Sequence, residues 1–272
     1  MPVIDFRVRL RTKELLAAWA PVPATHFQPY VELFKMNARL SFMTVEENLA
    51  EMELHGISRA VVCAANVREN ALIADLCKKY PDRLIGVAAV DPEAGPAKSY
   101  EALKRAYEEY GLSGLNLTPY ISGVRASDSL NYPLFALSVF MNKVVIIHTS
   151  LHFNLLQPLD LGNPKYFDQV AVHFPELRMI MSHAGNGFGL LPLAMAQRHP
   201  NIYLEFSALR PKYVRSRVIH AANSFLKEKC IFGTDYPLLP FDVIDDWKQV
   251  IKPENHAGFF HANALRALGQ TV

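Results

Sequence analysis

Eight short apolar runs punctuate this chain, and a longer connecting segment follows each one. They are VIDFRVRL (3–10), SRAVVCAA (58–65), LIGVAAV (84–90), GLNLTP (114–119), KVVIIHTS (143–150), RMIMSHAG (178–185), NIYLEFSA (201–208) and CIFGTDYP (230–237). Several are apolar almost without interruption, as strands buried on both faces must be. Between them, ENALIADLCKKY (69–80), SYEALKRAYEEY (99–110) and RSRVIHAANSFLKEK (215–229) carry apolar residues at helical spacing. The prolines of YPDRL and FPELR end such segments just before the next run. Strand–helix alternation calls for parallel strands joined by crossover helices. Eight repeats in 272 residues predict an α/β fold, a closed (β/α)8 TIM barrel. An open doubly wound sheet is less favoured, because no glycine-rich phosphate loop follows a run; GNGFG (185–189) comes nearest.

Composition narrows the function classes. The chain has 28 basic and 26 acidic residues, a formal net charge of +2, and no block of lysine or arginine. Neither nucleic acid nor an anionic membrane surface is expected as a partner. No apolar stretch has the length of a membrane span. The three cysteines, Cys63, Cys77 and Cys230, are far apart in apolar contexts, which argues against disulfides and for a reducing compartment. The opening MPVIDFR lacks the apolar region of a signal peptide, so a cytoplasmic location is expected. One domain over 1–272 is expected. Its long connection at about 11–43, holding Trp19, Phe27, Tyr30 and Phe34, has the length of a lid or partner-binding segment.

In a barrel of this kind the active site lies at the C-terminal ends of the strands. Those ends offer Arg7 and Arg9, Asn66 and Arg68, Asp91, Asn116 and Thr118, His148, Ser182 and His183, Glu205 and Ser207, and Thr234 and Asp235. Of ten histidines only His148 and His183 fall within the apolar runs. One such histidine is usually a hydrogen-bonded core residue. Two of them, with the aspartate of GTDYP at another strand end, point to acid–base chemistry. Asp5, Arg7 and Arg9 alternate along the first run, which on a regular strand aims all three at one face.

The runs VVIIHTS, MIMSHAG and IFGTDYP resemble the strand 5, 6 and 8 signatures of the amidohydrolase superfamily. More narrowly they resemble the amidohydrolase-2 group, which includes aminocarboxymuconate-semialdehyde decarboxylase, resorcylate-type decarboxylases and pyrone-dicarboxylate lactonase. GLNLTP is loosely similar to the strand 4 signature and HANALRALG to the group's C-terminal helix, so the resemblance spans almost the whole chain. It implies a metal ligand at His148. At His183 it implies a histidine that positions or activates water or substrate. Asp235 becomes a metal ligand and proton acceptor. Such donors suit Zn²⁺, which makes bound water acidic. The group's first strand reads Asp-x-His-x-His, whereas this chain reads Asp5-Phe6-Arg7-Val8-Arg9. A guanidinium has no lone pair to give a metal. The complete metal centre is therefore lost and no cofactor is expected; if a cation binds, His148, His183 and Asp235 are the donors left and zinc is the candidate.

Three readings of the arginines stay open. In the favoured one they replace the metal: one guanidinium pairs with Asp235 and the other clamps a substrate carboxylate or an oxyanion. Asn116 and Arg68 are then further substrate contacts, and His183 or His148 is the general base. Arg7, Arg9 and Asp235 together leave one net positive charge, so a small carboxylated, anionic substrate is expected. In the second reading the arginines are structural, paired with Asp5, Asp235 or Glu205, in a barrel that binds a small acid without catalysis. In the third a weak metal site survives. The expected activity is metal-independent or weakly metal-dependent hydrolysis of a small carboxylated lactone, cyclic ester or amide. The alternative is decarboxylation of an aromatic or muconate-type acid. By analogy with related barrels, a homo-oligomer is expected.

Overall fold

The computed structural model describes residues 2–19, 31–33, 35 and 39–271. All eight apolar runs contain a strand: β1 (Val3–Val8), β2 (Ile57–Cys63), β3 (Leu84–Ala89), β4 (Gly114–Leu117), β5 (Val144–Ile147), β6 (Met179–Met181), β7 (Ile202–Glu205) and β8 (Cys230–Ile231). They form one eight-stranded sheet in sequence order, and neighbours run parallel. The sheet closes on itself through the backbone. Phe6 N donates to Phe232 O at 3.1 Å, Asp235 N to Arg7 O at 2.9 Å, and Arg9 N to Tyr236 O at 2.8 Å. The fold is thus a (β/α)8 TIM barrel, as the run pattern predicts.

Strand alternation sorts the apolar side chains into two cores. Ile4, Phe6, Val61, Val87, Ile146, Ile180 and Ile231 fill the barrel, joined by Ala264, Leu265 and Leu268 of the C-terminal helix Asn263–Leu268. Val62, Leu115, Val145, Met179 and Leu204 face outward against Leu103, Phe135, Phe167 and Trp247. Asn263 is a packing residue: its Nδ2 donates to Lys227 O and Cys230 O, each at 2.7 Å. All three cysteines are free. Among the described residues no helix is long and apolar enough to cross a membrane.

The helices Glu69–Lys79 and Pro96–Glu108 lie where periodicity places them. The third differs. Over 215–229 only Ser216–Ala222 is helical. Asn223 caps its end: Nδ2 donates back to Ile219 O at 3.1 Å and outward to Val250 O at 2.8 Å, and Oδ1 accepts from Lys252 N at 2.7 Å.

The 11–43 connection opens with the helix Lys13–Trp19. Asn66 Nδ2 and Arg68 Nη2 donate to Ala18 O at 3.2 and 3.1 Å, which ties this helix to the loop after β2. The chain returns along Arg11, whose Nη1 donates to Arg39 O at 3.0 Å and Ser41 Oγ at 3.1 Å. Thr44 and Glu47 then form a capping box that starts the helix Val45–Leu54. Phe27, Tyr30 and Phe34, the aromatics expected to pack or cover this segment, lie outside the described residues.

Candidate active site

The charged residues of β1 do not share one face. Its pairing with β2 shifts register between Asp5 and Val8, and the strand ends before Arg9. Asp5 is buried and accepts from Thr234 N at 2.9 Å, Thr234 Oγ1 at 2.6 Å and Arg7 N at 3.1 Å. Burial pushes its carboxyl up to about 7, against the lowering effect of those bonds. Arg7 reaches across the barrel. Its Nη2 donates to Ser182 Oγ at 2.5 Å and Asn116 Oδ1 at 3.5 Å, and its Nε donates to Glu205 Oε2 at 3.3 Å. Arg9 Nη1 sits 3.1 and 3.2 Å from the two oxygens of Glu69.

Two expectations are corrected by this geometry. Regular alternation fails because of the register shift. Among the described residues neither arginine forms an ion pair with Asp235; the partners are Glu205 and Glu69. Asp235 still acts on Arg7 through space. With both glutamates counted, the cluster carries one net negative formal charge instead of one positive. Asn116 is already engaged, its Nδ2 donating to Ala64 O at 2.9 Å and its Oδ1 accepting from Arg7. Arg68 is exposed and holds Ala18 O, so the structure directs it to the helix Lys13–Trp19.

His148 and His183 do come together, with ring centroids 4.9 Å apart. His148 Nε2 lies 3.3 Å from Ser150 Oγ, while its buried Nδ1 has no hydrogen-bond partner among the described residues. Burial first, then the nearby His183 and Arg7, hold its imidazole well below the usual range, so it is neutral near pH 7. The edge of Tyr120 packs on His148 at 4.5 Å, and Tyr120 stacks on His152 at 5.0 Å. Sequence reasoning missed Tyr120; its only signal is its place directly after GLNLTP. Glu69 was missed as well, because it reads as the first turn of a surface helix.

Backbone strain marks the same strand ends. His183, Ala184, Ala208 and Asp235 have φ of 56°, 47°, 57° and 63°. Side chains with a β-carbon adopt this left-handed region only at a cost, and such outliers gather at functional sites. Three polar ends remain open there. Among the described residues Arg7 Nη1, the Asp235 carboxylate and His183 Nε2 have no hydrogen-bond partner. A cleft of about 150 Å³ opens beside His183, bounded by Leu209, Tyr213, Val214, Arg215 and Val218.

The residues do not fit the group's divalent metal centre. The strand 1 place is filled by the Arg7 guanidinium, fixed on Ser182 and Glu205. Among the described residues no group of three or more histidines, cysteines and carboxylates is spaced to hold an ion.

Comparison with known proteins adds the following. A family model described as amidohydrolase matches residues 8–270. No curated protein matches the chain. Among the solved structures similar over nearly their whole length are three from different bacteria. An uncharacterised TIM-barrel protein from Bordetella bronchiseptica is 26% identical, with a TM-score of 0.82 and 99% of each chain covered. A 2,6-dihydroxybenzoate decarboxylase from Rhizobium is 19% identical, with a TM-score of 0.70 and 99% of each chain covered. A 5-carboxyvanillate decarboxylase from Novosphingobium aromaticivorans, solved with manganese, is 17% identical with a TM-score of 0.73, covering 98% of this chain and 97% of its own.

Proposed function

The chain belongs to the amidohydrolase family, and from that premise we propose that it is a carbon–carbon lyase removing the carboxyl group of a small aromatic or unsaturated acid. The observation that carries this reading is the set of three open polar ends, Arg7 Nη1, Asp235 and His183 Nε2, at one barrel mouth. Arg7 Nη1 holds the substrate carboxylate. A solvent proton, taken up by Asp235 directly or through the lone pair of His183 Nε2, passes from Asp235 to the carbon that bears the carboxylate. The bond from that carbon to the carboxylate then breaks, its electrons stay on the carbon, and CO2 leaves. The products are CO2 and the acid's parent compound, with no change in oxidation state overall.

Two relatives that are decarboxylases of phenolic acids support this over hydrolysis, which the sequence alone put first. What survives of the hydrolase reading is its coarser part, an enzyme of the amidohydrolase family. Work without a resident metal is also proposed. It rests on the fixed guanidinium of Arg7, and it runs against the manganese-bearing relative. Zinc or manganese found in stoichiometric amount by elemental analysis of the purified protein refutes it.

The test of the reaction uses hydroxylated benzoates and muconate-type acids labelled with ¹³C at the carboxyl carbon. Labelled CO2 in step with product, abolished in Asp235→Asn, is the expected result. A ring-opened product with no CO2 returns the hydrolase reading. Acid binding with no turnover in the unaltered protein sinks the enzyme reading altogether.

A further inference from the structure

Glu205 is the hub of a buried hydrogen-bond chain at the wall of the site. Its exposure is 0%. Oε2 accepts from Arg7 Nε at 3.3 Å and from Ser207 Oγ at 2.9 Å, and Oε1 accepts from Ser207 N at 2.6 Å. Ser207 Oγ and Ser207 O lie 2.9 and 3.1 Å from His183 Nδ1. The room for this carboxylate comes from Gly233, where a β-carbon would collide with Glu205 Oε1 and sit 3.1 Å from Ser207 Cβ. Three strand ends, those of β6, β7 and β8, are thus shaped around one side chain.

Counting protons fixes the direction of the chain. Ser207 O, at 3.1 Å and only an acceptor, favours hydrogen on His183 Nδ1, and Ser207 Oγ, nearer at 2.9 Å, decides the tautomer by whether it accepts or donates. Ser207 has one hydroxyl proton, and it goes to Glu205, so Oγ also meets His183 as an acceptor. Neutral His183 then carries its lone pair on Nε2, the nitrogen left open toward the barrel mouth. We propose that Glu205, acting through Ser207, is a positioning residue that sets the tautomer of His183 while anchoring Arg7. One carboxylate thereby aligns the acid–base nitrogen with the anion-binding guanidinium. The catalytic use of His183 rests on the decarboxylase reading above; its tautomer does not.

Glu205→Gln reverses the chain. With its oxygen kept on Ser207 N, the amide places NH2 where Oε2 stood: it donates to Ser207 Oγ and gives up the bond from Arg7 Nε, the hydroxyl proton turns to His183 Nδ1, and the imidazole hydrogen moves to Nε2. The test is long-range ¹⁵N–¹H NMR of the full chain labelled at histidine, at a pH where His183 is neutral. The signals of His183 are assigned by their loss in His183→Gln. The expected result is the Nδ1–H tautomer in the unaltered protein, a shift to Nε2–H in Glu205→Gln, a mixture in Ser207→Ala, and restoration in Ser207→Thr. An Nε2–H tautomer in the unaltered protein overturns the proposal, as does Nδ1–H unchanged in both Glu205→Gln and Ser207→Ala. Should Glu205→Gln fail to fold, the two Ser207 variants decide, since both leave the Arg7–Glu205 pair intact. The expected tautomers in a protein that decarboxylates no acid support this inference and sink only the reading it builds on.

Discussion

Asp5 shows how much one buried carboxyl can reveal about its surroundings. Its folded value of about 7 lies above the ordinary 3.8. Between those values the folded chain holds a proton that the unfolded chain has released. Stability carried by this group is therefore full below about 4 and is lost as the pH rises through 7. The slope is at most about 1.4 kcal/mol per pH unit. Urea denaturation of the unaltered protein is expected to show stability rising from pH 7 toward 4, relative to Asp5→Asn. A difference between the two that is flat with pH contradicts this account. At this scale the sequence was readable where polar residues break apolar runs, as His148, His183 and Asp235 do. For the partners of the arginines it offered Glu205 only as one of three carboxylates, and it missed Glu69. Glu205 is 198 residues from Arg7 in the chain, and the register shift that turns Arg7 toward it leaves no mark in the residue pattern.

At the scale of elements, the pair Arg9–Glu69 joins the end of β1 to the first residue of the helix Glu69–Lys79. Glu69 is buried and also accepts from Ala65 N at 2.8 Å and Asn66 Nδ2 at 3.4 Å. Glu69→Ala removes a buried acceptor from Arg9, Ala65 N and Asn66 Nδ2, so a loss of about 2 kcal/mol is expected. Glu69→Gln keeps the acceptor oxygen and loses less. Chemical denaturation checks the ranking, and equal losses contradict it. The strands were legible because burial on both faces leaves nearly unbroken apolar runs. The helix over 215–229 was not, because the cap at Asn223 includes bonds to residues 250 and 252 that no local spacing announces.

The whole barrel decides which residues can act together. Closure sets the backbone of Arg7 against that of Asp235, residues from opposite ends of the chain. It also separates the two arginines: Arg7 points to the common mouth, and Arg9 to Glu69. Arg7→His therefore adds an imidazole to a mouth that already holds His148 and Asp235, and zinc affinity measured by calorimetry is expected to appear. Arg9→His is expected to add none. Equal zinc affinity in both variants refutes this division of labour. The barrel fold was plain from eight recurring runs, but the charge at its mouth was not. Its sign depended on two glutamates whose place only the closed sheet reveals.

The guanidinium of Arg7, held by Ser182, Asn116 and Glu205, is a positive charge that arrives with the polypeptide. A chelator does not strip it, a cell starved of metals still makes it, and no competing ion displaces it. On the metal-free reading proposed above, the chain that carries it has its cation from the moment it folds.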